Sequence, residues 1–131
     1  MKIAVDTNVL VRAAVRDNAD QADAATKLMG RAEMVAIALP SLCEFVWVLR
    51  TAYGFRAPEI AKAIRTLLAA ENVETNRPAV EAGLAILDAG GDFADGVIAY
   101  EGRWLGGETF VSFDRKAVEM LRAQGEAARL L

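Results

Sequence analysis

Acidic residues follow several predicted strands of this chain, and their types and spacing suit metal-assisted chemistry. Asp6 directly follows an apolar run near the N-terminus, and Asp114 directly follows another near the C-terminus. Asp92 and Asp95 are three positions apart at the start of a predicted helix, so both project from one face. Glu44 lies in the first turn of a further predicted helix. Carboxylates are the oxygen ligands that Mg²⁺ and Mn²⁺ prefer.

The chain has no histidine and a single cysteine, Cys43. A Ser-His-Asp triad, a Cys-His pair and a HExxH zinc site are therefore excluded, and so are an internal disulfide and a thiolate zinc cage. Hydrolytic chemistry must come from carboxylates. Several carboxylates directed at one place repel each other, and a divalent cation removes that conflict. Such an ion would polarise a phosphodiester, activate water and stabilise charge on the leaving oxygen.

Length and composition predict one globular domain over residues 1–131, since 54% of the residues are hydrophobic and 25% are charged. The net charge of -3 argues against nucleic-acid binding through a broad basic surface. Bound metal ions would themselves attract a phosphate and make this acidity less of an obstacle. The longest uncharged apolar stretch, residues 34–43, is too short to cross a membrane, and the N-terminus lacks the apolar region of a signal peptide. The cytoplasm is the expected compartment.

Hydrophobic periodicity predicts strands that alternate with helices, which is typical of a parallel sheet covered by helices on both faces. We therefore expect an α/β fold whose central, mostly parallel sheet has four to five strands. Ligand sites in such sheets lie at the carboxyl ends of the strands, where we expect the acids to converge. The predicted strands are 2–5, 34–39, 72–75, 109–113 and 129–131, and the predicted helices begin near residues 7, 19, 40, 58, 78, 92 and 114.

Each acid also has a structural explanation. Ser41 and Glu44 match the S-x-x-E capping box, which needs no catalysis. Asp95 has the weakest structural explanation, because it is neither a cap residue nor a good helix former. A purely structural account must place all these acids at strand ends by coincidence. The acids suited to be helix N-caps, a role worth roughly 0.5–2 kcal/mol each, are Asp6, Asp92 and Asp114.

Other side chains have two interpretations each. Aromatic residues in apolar helix or strand contexts are predicted to pack in the core rather than stack on bases: Phe45, Trp47, Trp104 and Phe110. Arginines close to the acids are either phosphate contacts or ordinary surface ion pairs: Arg12, Arg16, Arg50 and Arg115. The acids predicted to be solvated surface are Asp17, Asp20, Asp23 and Asp88.

Four segments resemble, in order, the four motifs of PIN-domain proteins, especially VapC-like toxins. They are IAVDTNVL at 3–10, PSLCE at 40–44, DFADGVIA at 92–99 and FVSFDR at 110–115, and together they cover essentially the whole chain. Gly96 departs from the family pattern, because many relatives have alanine there. The change removes a methyl group near the site and lowers helix propensity, and we expect activity to survive it.

The resemblance implies roles for individual positions. It implies an acidic quartet of Asp6, Glu44, Asp95 and Asp114, in which Asp6 and Asp95 bind Mg²⁺ directly and Mn²⁺ is an expected substitute. It also implies that Asp92 supports the site. Asn8 and Ser112 would form hydrogen bonds with the acids or with water bound to the ion.

The same resemblance implies a three-layer fold and an endoribonuclease toxin that cleaves cellular RNA: tRNA, rRNA or mRNA. It further implies a homodimer and a VapB-like antitoxin that blocks the acidic groove and anchors a larger complex on promoter DNA. One alternative is a PIN fold without activity that serves only in protein association. Another is a carboxylate phosphatase, but Asp6-Thr7-Asn8 supplies one acid where such enzymes use two. Attack by activated water is expected, because no nucleophile and base pair is present.

Overall fold

The computed structural model of the chain describes residues 1–131, which form two compact units, Met1–Asn76 and Arg77–Leu131. The first unit contains three strands and four helices, and the second contains two strands and three helices. None of these helices combines the length and the apolar character that a membrane span requires.

The first unit is a three-stranded parallel sheet with four helices. The strand order is β1-β2-β3, and the register pairs Ile3 with Val35 and Val35 with Val73. Helix α1 contacts α2 and α3, and α3 contacts α4. In chain order the elements are β1 (Lys2–Ala4), α1 (Thr7–Ala14), α2 (Ala19–Arg31), β2 (Met34–Ala36), α3 (Leu39–Thr51), α4 (Ala57–Ala69) and β3 (Val73–Glu74).

The second unit has a two-stranded parallel sheet, β4-β5, whose register pairs Val111 with Arg129. Part of its core is formed by Ile86, Ala99 and Leu121, against which Phe110, Met120 and Ala128 pack. In chain order its elements are α5 (Arg77–Asp88), α6 (Phe93–Trp104), β4 (Phe110–Ser112), α7 (Arg115–Ala123) and β5 (Ala128–Leu130).

Local sequence signals begin and end these helices. At the start of α2, the side chain of Asn18 accepts a hydrogen bond of 3.1 Å from the backbone N–H of Gln21. At the start of α4, the Glu59 carboxylate accepts one of 3.0 Å from the backbone N–H of Arg56. Beyond the end of α7, Gly125 has a φ of +84°, a left-handed conformation that favours glycine.

The predicted α/β class with parallel strands is confirmed, and each predicted element is present with ends that differ by a few residues. Five strands form, but hydrogen bonds join them into one sheet of three and one of two. Among the aromatic residues, Phe45 is fully buried as predicted. The core prediction was wrong for Trp47 and Trp104, which are 65% and 76% exposed. Both lie on helices whose apolar residues extend around more than one face.

Candidate functional site

Asp6 lies just beyond the carboxyl end of β1 and is the N-cap of α1. Its backbone is extended, and its carboxylate accepts a hydrogen bond of 3.1 Å from the backbone N–H of Val9. The predicted capping role is therefore confirmed. The side chain is exposed, so capping still leaves it open to ligands from solvent. Asn8, one of the predicted supporting residues, is exposed in the same first turn.

Glu44 does not take part in a capping box, so the structural explanation that the S-x-x-E pattern offered for it does not hold. Helix α3 begins at Leu39 with Ala38 as its N-cap, and Ser41 lies inside the first turn, where its N–H donates to the Ala38 carbonyl at 3.1 Å. The helix begins early because Pro40 is favoured in a first turn, where its missing N–H is not needed. Glu44 is exposed on the second turn and has no role at the start of the helix.

In the second unit, Asp92 and Asp114 are both confirmed as helix N-caps. The Asp92 carboxylate accepts a hydrogen bond of 3.2 Å from the N–H of Ala94 at the start of α6. The Asp114 carboxylate accepts one of 3.1 Å from the N–H of Ala117 at the start of α7. The hydroxyl of Ser112 accepts a hydrogen bond of 2.9 Å from the N–H of Asp114. This bond holds the backbone of Asp114 in place and so helps to position its carboxylate.

Asp95 differs from these caps because its carboxylate is half-buried in the first turn of α6. Burial, followed by the negative charges of Asp92 and Asp114, raises its pKa from 3.8 to about 6. Each of these influences disfavours the ionised form. The second unit thus brings three of the predicted acids close enough to interact electrically. A cation near them would relieve both the repulsion and the loss of hydration.

Close contact between α5 and α6 sets the backbone position of this acidic turn. A Cβ on Gly96 would lie 2.8 Å from the Cα of Gly83 and would also clash with the carbonyl of Ala82. A Cβ on Gly83 would lie 2.7 Å from the ring of Phe93, which is fully buried. The sequence interpretation recognised Gly96 as a departure but missed this role. The available signal was a glycine in each of two consecutive predicted helices.

The candidate arginines divide into two groups. Arg12 forms an ion pair of 3.1 Å with Asp17, and Arg16 forms one with Asp23. Asp17 and Asp23 are on the surface, as predicted, and each holds an arginine side chain there. The remaining candidates, Arg50 and Arg115, are exposed and form no ion pair. Assignment of Arg12, Arg50 and Arg115 to RNA contacts stays a prediction.

The donor chemistry of these acids fits a hard divalent cation. Within neither unit do three carboxylate or thiolate side chains form a group that could hold an ion. Mg²⁺ is usually bound by one or two carboxylates, with water and substrate phosphate completing its shell, so it needs no larger protein cluster. The crowded carboxylate of Asp95 is the donor whose charge such an ion would stabilise most directly.

A family model of the PIN domain matches residues 3–122. The chain belongs to the PIN domain family. The match includes every motif segment identified in the sequence and continues across both compact units. PIN domains are typically metal-dependent nucleases, and RNA is the nucleic acid that membership suggests. No curated protein matches the chain significantly.

Proposed function

We propose that this PIN domain is a Mg²⁺-dependent endoribonuclease and the toxin of a toxin–antitoxin pair. In this proposal Mn²⁺ substitutes for Mg²⁺, and the substrate is cellular tRNA, rRNA or mRNA. The protein would act in the cytoplasm as a homodimer until a VapB-like antitoxin neutralises it in a larger complex on promoter DNA. Family membership supports the nuclease class. The residues of the four motifs support the toxin assignment through their resemblance to VapC-like proteins.

The observation that carries the proposal is the environment of Asp95. Asp6, Asp92 and Asp114 each stabilise a helix end, so their presence would be explained even in an inactive protein. Asp95 caps nothing, and both its burial and its acidic neighbours oppose its negative charge. A carboxylate held under such unfavourable conditions is typical of a functional site.

The proposed roles follow from these contacts. Asp6 and Asp95 would hold the ion, which supplies Lewis-acid polarisation of the phosphodiester and favours attack by water. Asp114 is oriented by the N–H of Ala117 and by its own link to Ser112, so its carboxylate can hydrogen-bond the reacting groups with little reorganisation. Glu44 is exposed and free of capping, which leaves its carboxylate available to accept a proton from water.

Water would attack phosphorus directly, and the bond to the leaving ribose oxygen would break as that oxygen gains a proton. No covalent enzyme intermediate is required, because the chain lacks histidine and offers no paired nucleophile and base. A covalent RNA adduct would contradict this mechanism.

The test compares the purified protein, Asp95→Asn and Asp20→Asn on single-stranded RNA, with Mg²⁺ and with excess EDTA. Asp20 is an exposed acid in the first turn of α2 and serves as the matched control. We expect cleavage by the wild type and by Asp20→Asn in Mg²⁺ only, and none by Asp95→Asn. Full cleavage in EDTA, or by Asp95→Asn, would contradict the proposal.

The second candidate function is an inactive PIN domain that only binds other macromolecules. It is favoured by the capping roles of three acids and by the lack of a three-acid group within either unit. Growth measurements separate the candidates. If Asp95→Asn arrests growth as strongly as the wild type after induction, binding alone accounts for the effect. If growth arrest and cleavage are lost together, the nuclease is responsible.

A further inference from the structure

A groove between α1 and α2 opens directly beside Asp6. Its volume is about 530 Å³, and Asp6 is itself one of the lining residues. This volume lies within the range of roughly 300–1,000 Å³ that is usual for small-molecule sites. The groove belongs entirely to the first compact unit.

The sequence builds this groove from one face of α2 and the first turns of α1. Positions 21, 24, 25 and 28 of α2 follow the i, i+3, i+4, i+7 spacing that places side chains on one helical face. Ala24 and Ala25 are small and leave room between the helices, while Val9 and Leu28 provide larger apolar surface. The result is a largely apolar floor, against which the face of a flat ring can pack.

Charge in the groove favours a neutral ligand over a phosphate. Arg12 is the only cation among the lining residues, and Asp17 already neutralises it through an ion pair of 3.1 Å. Asp6 adds an exposed negative charge at the same place. Within the groove a phosphate would therefore find no unpaired cationic side chain, whereas the ion proposed at Asp6 would hold the scissile phosphate beside the groove.

Two amides supply the polar contacts that a nucleobase requires. Asn8 and Gln21 both line the groove, both are exposed, and neither side chain has a hydrogen-bond partner in the protein. Each amide offers a donor and an acceptor side by side, which is the pattern that pairs with the edge of a base. RNA recognised in single-stranded form presents unstacked bases whose faces and edges are both accessible.

We infer that the groove between α1 and α2 binds one unpaired nucleobase of the RNA, next to the phosphodiester that is cleaved, and sets the sequence preference of cleavage. This inference rests on the proposed nuclease function, because it uses the position of Asp6 to place the base beside the reacting phosphate. Gln21 reads the edge of the base, and the surface formed by Val9, Ala25 and Leu28 supports its face.

The first experiment maps the ends produced from a pool of random-sequence single-stranded RNA. Gln21→Leu removes the amide at similar size, and Ala24→Phe fills the groove. Thr26→Phe is the control, because Thr26 is on the same helix but lines a different groove with Ala13 and Met29. We expect the preference at one nucleotide beside the cut to change by about tenfold in both test variants and to be unchanged in the control.

The second experiment measures binding without cleavage. Methyl resonances of Val9, Ala25 and Leu28 are followed in Asp95→Asn while trinucleotides that differ in the central base are added. These resonances should shift, to an extent that depends on the base, whereas Leu67 of the other groove should not respond. Shifts with a helical peptide but with no RNA would overturn the inference and identify a protein-binding groove.

The two proposals fail in distinguishable ways. If the wild type cleaves RNA but all variants keep the same preference and the three methyl groups do not respond, the groove inference is wrong and the nuclease stands. If no RNA is cleaved but the methyl groups respond according to the base, the nuclease function is wrong, and of the inference only the binding of a base in the groove stands.

Discussion

Both compact units place aspartates at helix N-termini, but with different electrostatic consequences. In the first unit, Asp6 caps α1 in an exposed position, and its carboxylate has no burial to overcome. In the second unit, the caps Asp92 and Asp114 are joined by Asp95, whose carboxylate is half-buried and repelled by both. The comparison shows that an N-cap by itself says little about function. The informative acid is the additional one that makes no cap.

The largest expected effect separates activity from stability in these two units. Asp6→Asn and Asp95→Asn should each lower RNA cleavage at least about 100-fold, because each removes a proposed ligand of the ion. Only Asp95→Asn should stabilise the metal-free protein at pH 7, by about 1–2 kcal/mol, since it removes a disfavoured charge. Asparagine caps helices as well as aspartate, so Asp6→Asn should leave stability nearly unchanged.

Denaturant unfolding in EDTA, together with a cleavage assay in Mg²⁺, measures both quantities. Equal stability of the two variants would contradict the proposed electrostatic difference between the units. If Asp6→Asn still cleaved RNA while Asp95→Asn did not, the reaction would depend on the acids of the second unit and not on Asp6.

The next effect concerns packing, in which the units also differ. Gly30 and Gly54 of the first unit have open space where a Cβ would be, whereas Gly96 of the second lies against the backbone of α5. Gly96→Ala should therefore destabilise the protein by about 1–3 kcal/mol, despite the higher helix propensity of alanine. Gly102→Ala, in the same helix with open space around it, should be neutral or stabilising by up to about 1 kcal/mol.

Thermal or denaturant unfolding of the two variants tests this contrast. If Gly96→Ala were as stable as Gly102→Ala, the first turn of α6 would have room to move away from α5. The contact would then not determine where Asp95 lies.

A smaller effect should appear in the pH dependence of stability. The folded-state pKa of Asp95, about 6, is above its ordinary value of 3.8, so the folded protein binds more protons between these values. This preferential protonation stabilises the folded state. The stabilisation is complete below pH 3.8 and is lost as the pH rises through 6. Relative to Asp95→Asn, the metal-free wild type should lose about 1 kcal/mol of unfolding free energy from pH 5 to pH 7.

Subtraction of the Asp95→Asn profile removes the contribution of the other carboxylates, which titrate in both proteins. Parallel profiles would show that the charge of Asp95 is not opposed by its surroundings. Mg²⁺ should reduce the difference if Asp95 binds the ion.

Local patterns in the sequence were sufficient for most of the fold. Asp6, Asp92 and Asp114 each stand between an apolar run or loop and a helical periodicity, and all three were predicted as the caps that they form. Such caps depend on contacts within about one turn of helix, so the neighbouring residues specify them.

Features that depend on tertiary contacts were less accessible from sequence. The close approach at Gly96 depends on which residue of α5 faces it, and the exposure of Trp47 and Trp104 depends on which helical face is covered. The division of the strands into two sheets likewise depends on hydrogen bonds between distant segments. For the site, residue types indicated the chemistry, while the crowding of Asp95 required coordinates.

The smallest expected change in stability is at Glu44, and it tests whether this acid of the first unit, unlike the cap Asp6, has no structural role. Glu44 is exposed beyond the first turn of α3 and makes no cap, so Glu44→Gln should alter the free energy of unfolding by less than about 0.5 kcal/mol. Cleavage should nevertheless fall, because glutamine cannot accept a proton from water at neutral pH. A stability loss above about 1 kcal/mol would instead indicate that this carboxylate supports the fold, as the caps do.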